Sequence, residues 1–410
     1  MRIGARKITL PPMLFLFPYF KPGYFETIAW LDLTYNLLRM AMLFAALVMF
    51  VKKGRLSRTF LALAALQLWL LFTTAMNASL YTYLKNLFQV AVYLIVALNA
   101  DRIQQIIRGC FLLGEAFTYI NILTICLFPN GIYEKTFIGS SACWFLGQKN
   151  EAFYFYIVFV IMAILYDICI RNSIRTKILQ IVIYCSLALT GATNATISFT
   201  LFYLNLFALY LLKKKDAGHS TMWSLILISM NLFFFISLSI FQTNVYIKTF
   251  LVEVLQKNVT FSGRTLIWAK AFELLARRSF LGYGIMSMEQ MVRLFGISFA
   301  VSAHNNMLHY LIAGGIPALA LHLLFWFLCL KALNGENGLV PRILFIAWFS
   351  LSIFSLFEVQ YNPVIFILYA LSAKVKTVNS ARFGSREKKL LRRFLSNGAF
   401  PGKRLSWKEV

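Results

Sequence analysis

Long apolar runs separated by short polar segments fill most of the chain. Most runs approach the length of a membrane-crossing helix, about 20 residues. The first run is shorter and contains Pro11, Pro12 and Pro18, so we expect a broken or tilted span there rather than a signal peptide. The twelve runs cover residues 8–20, 33–51, 59–76, 81–98, 110–128, 152–170, 178–190, 195–212, 222–241, 306–330, 343–357 and 364–373. The pattern predicts an all-α, polytopic membrane helix bundle of about 12 transmembrane helices.

The composition agrees with a membrane protein. Hydrophobic residues make up 60% of the 410 residues, whereas a soluble globule needs a largely polar surface. The net charge of +25 could indicate nucleic acid, but Lys and Arg occur in short clusters between the apolar runs. We therefore interpret them as topology signals and expect no nucleic-acid partner.

The spacing of Cys and His predicts neither a disulfide framework nor a metal site. The six Cys residues include no CxxC pair, and all but Cys143 lie in or beside apolar runs. His304 and His309 are about 140° apart around a helix, so they do not form a two-histidine metal face. We expect no metal and no other cofactor.

Basic residues divide unequally between the two sides of the predicted membrane. With the amino terminus inside, the short outer loops hold Lys21, Lys85, Lys135 and Lys149, and most other Lys and Arg are cytoplasmic. This bias predicts that both termini are cytoplasmic. The expected divisions are transmembrane helices in 1–241 and 305–375, one long folded extracytoplasmic loop at 242–304, and a basic cytoplasmic tail at 376–410. The tail is an ordinary positive-inside anchor or a segment along an anionic leaflet.

The predicted outer loop carries the motifs SGRTLIW, LGYG and AHNNML. Residues 265–276 have helical periodicity, with Arg264, Trp268 and Phe272 along one face and Ser262 as the expected cap. Arg264 either extends to lipid headgroups or binds a phosphate bidentately. The motifs therefore predict a folded loop with a cation near the membrane surface.

His304, a glycine pair and Arg39 are further candidates. His304 either caps the helix that follows it or takes a proton from an alcohol. Gly282 and Gly284 indicate a turn where backbone amides could approach a ligand. Arg39 lies about 9 Å below the outer end of its apolar run, where an arginine needs a partner or a polar cavity. We therefore favour a functional Arg39.

Other polar or small residues in the apolar runs have structural interpretations. Asp167 precedes Arg171 by one helical turn, which predicts a local ion pair, and Glu115 must be neutral, paired or hydrated. The GGIP segment at residues 314–317 predicts close packing or a kink.

The three loop motifs together resemble the O-antigen ligase and polymerase superfamily. The motif match covers about residues 262–330, and the FPYFKPGYF segment is similar to the start of repeat-unit polymerases from capsule or exopolysaccharide clusters. The superfamily transfers glycans from an undecaprenyl pyrophosphate carrier without a metal. The resemblance therefore implies a multi-pass glycosyltransferase of the bacterial cytoplasmic (inner) membrane that acts on its outer face.

The resemblance also implies roles for individual residues. Arg264 matches an arginine that contacts the pyrophosphate, and His304 matches a histidine proposed to activate the acceptor hydroxyl. Many members have a second arginine where this chain has Asn194. Arg39 or Arg277 is the candidate substitute for that second cation.

Further contacts and partners follow from the same resemblance. Asn150, in GQKNEAF, matches a family asparagine, and Asn305 follows the histidine in AHNNML. Trp268 could stack on a sugar ring, and Gly282 and Gly284 could approach the substrate. The expected partners are an undecaprenyl-pyrophosphate-linked glycan donor and acceptor, the membrane lipid, and a flippase and chain-length regulator of the same pathway.

Several functions remain open. We expect a polymerase that joins lipid-linked repeat units by inverting transfer, because of the FPYFKPGYF segment. A close alternative is an O-antigen ligase that moves finished glycan to a lipid or other acceptor. A transporter or flippase of lipid-linked oligosaccharide would favour two related halves with interrupted helices, and no such halves are visible in the sequence. A non-enzymatic scaffold in polysaccharide assembly is the remaining alternative.

Overall fold

The protein is a bundle of long helices. The computed structural model describes residues 11–54, 56–77, 80–135, 141–211, 221–240 and 263–380. Short 3-10 helices lie at Phe17–Phe20, Gly23–Thr27, Ala100–Arg102 and Pro363–Ile365. The α-helices are α1 (Pro12–Leu16), α2 (Ala29–Lys53), α3 (Arg58–Asn77), α4 (Leu80–Leu98), α5 (Ile103–Leu127), α6 (Ala152–Cys169), α7 (Ile174–Leu189), α8 (Thr193–Leu211), α9 (Thr221–Ile240), α10 (Arg264–Arg277), α11 (Met288–Phe295), α12 (Asn306–Ala332), α13 (Leu339–Ser355), α14 (Phe366–Ala373) and α15 (Val375–Ser380).

Many of these helices are suited to a membrane. Among the described residues, seven are long and apolar enough to cross it: α2, α3, α4, α5 with the turn before it, α6, α8 and α12. Shorter apolar helices lie at Ser224–Phe233, Leu339–Ser355 and Pro363–Ala373. The chain is therefore a predominantly helical membrane protein, as the apolar runs predict, and the count of twelve spans stays a prediction.

The proline-rich run near the amino terminus is broken. Within it, α1 begins at Pro12 and a 3-10 helix follows at Phe17–Phe20, with Pro18 near its start. A proline has no N–H to donate, so it is best tolerated at the start of a helix. Neither piece alone is long enough to cross a hydrocarbon core of about 30 Å. Residues 1–10 lie outside the described part of the chain.

Two carboxylates in the apolar helices have basic partners. Glu115 accepts a hydrogen bond from the Nε of Arg175 at 2.9 Å, so this buried carboxylate is paired. Asp167 binds the Nζ of Lys177 at 2.7 Å. The predicted pairing of Asp167 with Arg171 is therefore wrong, because the chain turns after α6 and brings α7 back against that carboxylate.

Helix α12 is broken at residues 314–315. Gly314 and Gly315 have non-helical backbone angles, and Gly315 adopts the left-handed region with a φ of 67°. Pro317 has no N–H and cannot donate to the carbonyl of Ala313, four residues before it. The kink predicted from the GGIP segment is confirmed.

The loop before α12 fills this break. The amides of Tyr283 and Gly284 donate to the carbonyls of Ile312 and Ala313 at 2.7 and 2.8 Å. The indole of Trp69 in α3 donates to the carbonyl of Gly314 in α12 at 2.7 Å. A buried backbone polar group needs a partner within the protein, and these contacts supply it. Hydrogen bonds at this break therefore hold together the loop, α3 and α12.

A small sheet lies between α5 and α6. Strands β1 (Tyr133–Lys135), β2 (Ser141–Trp144) and β3 (Gly147–Gln148) pair antiparallel in that order. Tyr133 faces Cys143, and Cys143 faces Gln148 across the next pair. The sequence pattern did not predict this sheet, which leads the chain into Asn150 and the start of α6.

Candidate active site

The carboxylate of Glu358 lies where several segments meet at one end of the bundle. Its side chain, just after α13, is 13% exposed. The Nη2 of Arg264 donates to its Oε1 at 2.6 Å, and the Nδ2 of Asn150 donates to the same oxygen at 2.7 Å. The Nδ1 of His304 lies 3.5 Å from Oε2. The structure thus gathers three residues that the sequence analysis selected from distant segments.

Arg264 is positioned by the first turn of α10. Gly263, which precedes the helix, has a φ of 83°, a conformation that favours glycine. Trp268, one turn later, is 2% exposed and donates its indole N–H to the carbonyl of Ala303 at 3.0 Å. The predicted helix at residues 265–276 is confirmed, and it is tied to the residue before His304. Ser262, the predicted cap, lies outside the described residues.

His304 has a backbone conformation that is unusual for a residue other than glycine. Its φ is 46°, in the left-handed region, which costs on the order of 1–3 kcal/mol and persists only where neighbours enforce it. Its amide donates to the Oγ of Ser302 at 3.2 Å. Asn305 caps α12 by accepting from the amide of Leu308 at 3.0 Å, and it donates to the carbonyl of Leu356 at 3.0 Å. These contacts hold the imidazole against the carboxylate.

The segment that carries Glu358 is anchored through its neighbours. The hydroxyl of Tyr154 donates to the carbonyl of Val359. The amide of Gln360 donates to the Oδ1 of Asn306 at 3.0 Å. The backbone therefore has support that does not depend on the Glu358 side chain.

Helices α6, α8 and α13 come together at the same end. The rings of Phe153 and Phe354 stack with centroids 3.8 Å apart, which joins the start of α6 to the end of α13. Asn194, the predicted counterpart of the family's second arginine, donates its Nδ2 to the carbonyl of Phe354 at 3.0 Å. At this position the chain has a helix-to-helix hydrogen bond rather than a cation.

The two candidate substitutes for that arginine are held elsewhere. Arg277 ends α10, about 20 Å along the helix axis from Arg264, and pairs with Glu273 at 2.7 Å. Arg39 donates its Nε to the carbonyl of Pro18 at 3.0 Å. The structure does not bring Arg277 to the cluster, and substrate contacts of both arginines stay predictions.

Trp268, Gly282 and Gly284 have roles in packing. The indole of Trp268 is covered by protein, within the cluster of buried residues under the loop. Gly282 has a φ of 63°, and a Cβ there would lie 2.6 Å from the carbonyl oxygen of Ile312. The amide of Gly284 is bound to α12. Contacts of these three residues with a substrate stay predictions.

Tyr361 adds a partly open surface next to the carboxylate. Its side chain is 46% exposed, and its ring centroid lies 5.9 Å from that of Tyr154. Desolvation of the phenol hydroxyl, followed by the charges of Glu151, Glu358 and Glu26, raises the pKa of Tyr361 well above its ordinary value although the residue is partly open. Tyr361 therefore offers a neutral ring and hydroxyl beside the charged cluster.

The arrangement can both move a proton and hold an anion. Nδ1 of His304 faces the carboxylate, so Nε2 is the ring nitrogen that can accept a proton from a hydroxyl. The guanidinium of Arg264 can bind a phosphate in place of the carboxylate. Across the described ranges, no group of three or more His, Cys, Asp or Glu side chains is placed to hold a metal ion.

Glu358 is the site residue that the sequence analysis missed. It lies one position beyond the predicted apolar run at 343–357, in the segment FEVQYNP. A carboxylate at the end of an apolar run is costly to bury without a partner, which is the signal that could have selected it. The spacing of residues along the chain could not show that this partner is Arg264.

The fold and the site define a polytopic membrane protein with a guanidinium, an imidazole and a carboxylate in contact at one end. The family model described as O-antigen ligase matches residues 178–323, from α7 into α12, and this region contains Arg264 and His304. The match confirms the similarity to the O-antigen ligase and polymerase superfamily, whose members are membrane glycosyltransferase-like enzymes. No curated protein and no solved structure matches the chain.

Proposed function

We propose that the protein is a polysaccharide polymerase that joins undecaprenyl-pyrophosphate-linked oligosaccharide repeat units on the outer face of the cytoplasmic membrane. The observation that carries the proposal is the contact of Arg264 and His304 with one carboxylate, at 2.6 and 3.5 Å. A glycosyl transfer from a pyrophosphate needs a cation for the leaving group and a base for the attacking hydroxyl. The site offers one of each.

The reaction is a single displacement at the anomeric carbon. The acceptor hydroxyl oxygen forms the new bond to the anomeric carbon while the bond between that carbon and the pyrophosphate oxygen breaks. The hydroxyl proton passes to Nε2 of His304, and the pyrophosphate leaves with the bonding electron pair. Because the hydroxyl attacks the face opposite the leaving group, the anomeric configuration inverts.

Arg264 acts on the charge that develops during this step. The leaving oxygen becomes more negative as its bond to carbon breaks, so a fixed guanidinium stabilises the transition state more than the bound substrate. The loss of one such donor slows related reactions by about 10²–10³-fold, and the loss of a general base by about 10²–10⁴-fold. We therefore expect Arg264→Ala and His304→Ala to abolish most of the transfer.

The proposal is tested with purified protein in liposomes that contain a defined lipid-linked repeat unit. We expect a ladder of lipid-linked products, each longer by one unit, and a loss of this ladder in His304→Ala and Arg264→Ala variants that insert normally. Wild-type polymer yield from both variants would contradict the catalytic roles. Movement of the substrate across the vesicle without a new glycosidic bond would contradict the enzyme and favour a transporter.

The O-antigen ligase is the second candidate, favoured by the description of the matching family model. The lipid-linked glycans that accumulate in cells without the protein distinguish a polymerase from a ligase. Loss of a polymerase leaves single lipid-linked repeat units, whereas loss of a ligase leaves long lipid-linked polymer. Accumulated long polymer would therefore overturn the polymerase assignment and retain the same site chemistry. A flippase and a chain-length regulator are the proposed partners in either case.

A further inference from the structure

We propose that Glu358 occupies the place of the substrate's phosphate on Arg264 in the resting enzyme, and moves its pairing to His304 when the pyrophosphate binds. The inference rests on the proposed glycosyl transfer. It assigns a positioning residue that couples substrate binding to proton transfer, outside the region that the family model matches.

The two carboxylate oxygens are in unequal environments. Oε1 accepts from Arg264 at 2.6 Å and from Asn150 at 2.7 Å. Oε2 lies 3.5 Å from Nδ1 of His304, beyond the usual N–H···O range of about 2.7–3.2 Å. Nδ1 is itself buried and has no hydrogen-bond partner among the described residues. The imidazole is thus next to the carboxylate but not yet bonded to it.

Carboxylate and phosphate compete for the same guanidinium geometry. Arg264 binds either anion through the same N–H groups, so a bound pyrophosphate must displace or share the carboxylate. Glu358 is 13% exposed, and a largely buried carboxylate without a cation is unfavourable. Among the described residues, the ion-pair contacts of Glu358 are with Arg264 and His304, so His304 is the basic group placed to replace Arg264.

This replacement favours proton transfer at the right moment. A carboxylate that has lost its guanidinium stabilises a positively charged imidazole beside it, so transfer of the hydroxyl proton to His304 is favoured once the pyrophosphate is bound. The hydroxyl proton then rests on Nε2, while Nδ1–H donates to Oε2. When His304 releases the proton to water, Glu358 returns to Arg264 and competes with the product pyrophosphate, which promotes its release.

A Glu358→Gln variant tests the inference because it keeps the size of the side chain and removes its charge. The contacts of Tyr154 with Val359 and of Gln360 with Asn306 still anchor the segment. Binding of inorganic pyrophosphate to the detergent-purified protein is measured by calorimetry, and kcat for transfer is measured in liposomes.

We expect Glu358→Gln to bind pyrophosphate about tenfold more tightly than the wild type, because the competing anion is gone. We expect its kcat to fall by about 100-fold, because the imidazole has lost its carboxylate. A residue that only supports the fold would weaken binding and turnover together. Glu358→Asp keeps the charge and should recover part of kcat.

Glu273→Gln is the matched control, since Glu273 pairs with Lys270 and Arg277 on the exposed side of α10. It should leave both measurements unchanged. Equal or weaker pyrophosphate binding by Glu358→Gln, or a kcat close to the wild-type value, would overturn the inference. A wild type that makes no glycosidic bond would refute the proposed function. The binding measurement needs no turnover, so it would still show whether Glu358 competes with pyrophosphate for Arg264.

Discussion

Replacement of Gly282 by alanine should detach the loop from the break in α12. Gly282 has a φ of 63°, and a Cβ there would lie 2.6 Å from the carbonyl oxygen of Ile312 and 2.8 Å from the amides of Gly314 and Gly315. These neighbours are backbone atoms, so the loop and the broken helix must move apart. Gly296 is the matched control, because it has a φ of 66° and open space where its Cβ would be.

The expected loss of stability follows from the backbone conformation and the hydrogen bonds that the substitution disturbs. In both variants the left-handed conformation costs alanine about 1–2 kcal/mol. In Gly282→Ala the hydrogen bonds from Tyr283 and Gly284 to α12, at 2.7 and 2.8 Å, are also strained or lost. An unpaired buried backbone group costs about 1–3 kcal/mol, so two lost bonds add roughly 2–6 kcal/mol.

The assay compares the two variants with the wild type in detergent, by apparent Tm and by transfer activity. Gly282→Ala should have a clearly lower Tm than Gly296→Ala and should lose most of its activity, because the detached loop carries Arg264 and His304. Equal Tm values for the two variants would refute the argument that the glycine is required by close packing against α12.

Three other predictions concern the loop and the cation. Trp268→Phe removes the indole hydrogen bond to Ala303 at 3.0 Å, and should lower kcat more than the donor affinity, as steady-state kinetics will show. Arg277→Ala should keep more than half of the wild-type rate in the liposome assay, since Arg277 pairs with Glu273 far from the cluster; a loss as large as that of Arg264→Ala would contradict the geometry. Transfer should continue in EDTA, because a guanidinium supplies the positive charge, and recovery of a lost rate by added Mg²⁺ would contradict this.

Local sequence patterns predicted much of the helical fold. Apolar runs gave the membrane helices, and helical periodicity gave α10, because both depend on residues that are close in sequence. The kink in α12 followed from the GGIP segment for the same reason. The sheet before α6 was missed because its strands are very short and have no clear alternation.

Contacts between residues that are far apart in the sequence were harder to predict. Arg264 and His304 were selected by their motifs, but the carboxylate that joins them comes from a segment 54 residues after His304. Asp167 was assigned to Arg171 by helical spacing, whereas the chain turns and brings Lys177 instead. Such pairings depend on how helices pack, which the pattern of a single chain does not determine.

The central claim is that Arg264 and His304 are coupled through the Glu358 carboxylate that both contact, and a double-mutant cycle tests it most directly. Initial rates of transfer are measured in the same liposomes for Arg264→Lys, His304→Gln and the double variant. We predict that each single variant is slower by about 100-fold, and that the double variant is slower than the worse single by only about threefold. A double variant slower by about 10⁴-fold, the product of two independent losses, or single variants with wild-type rates, would contradict the account.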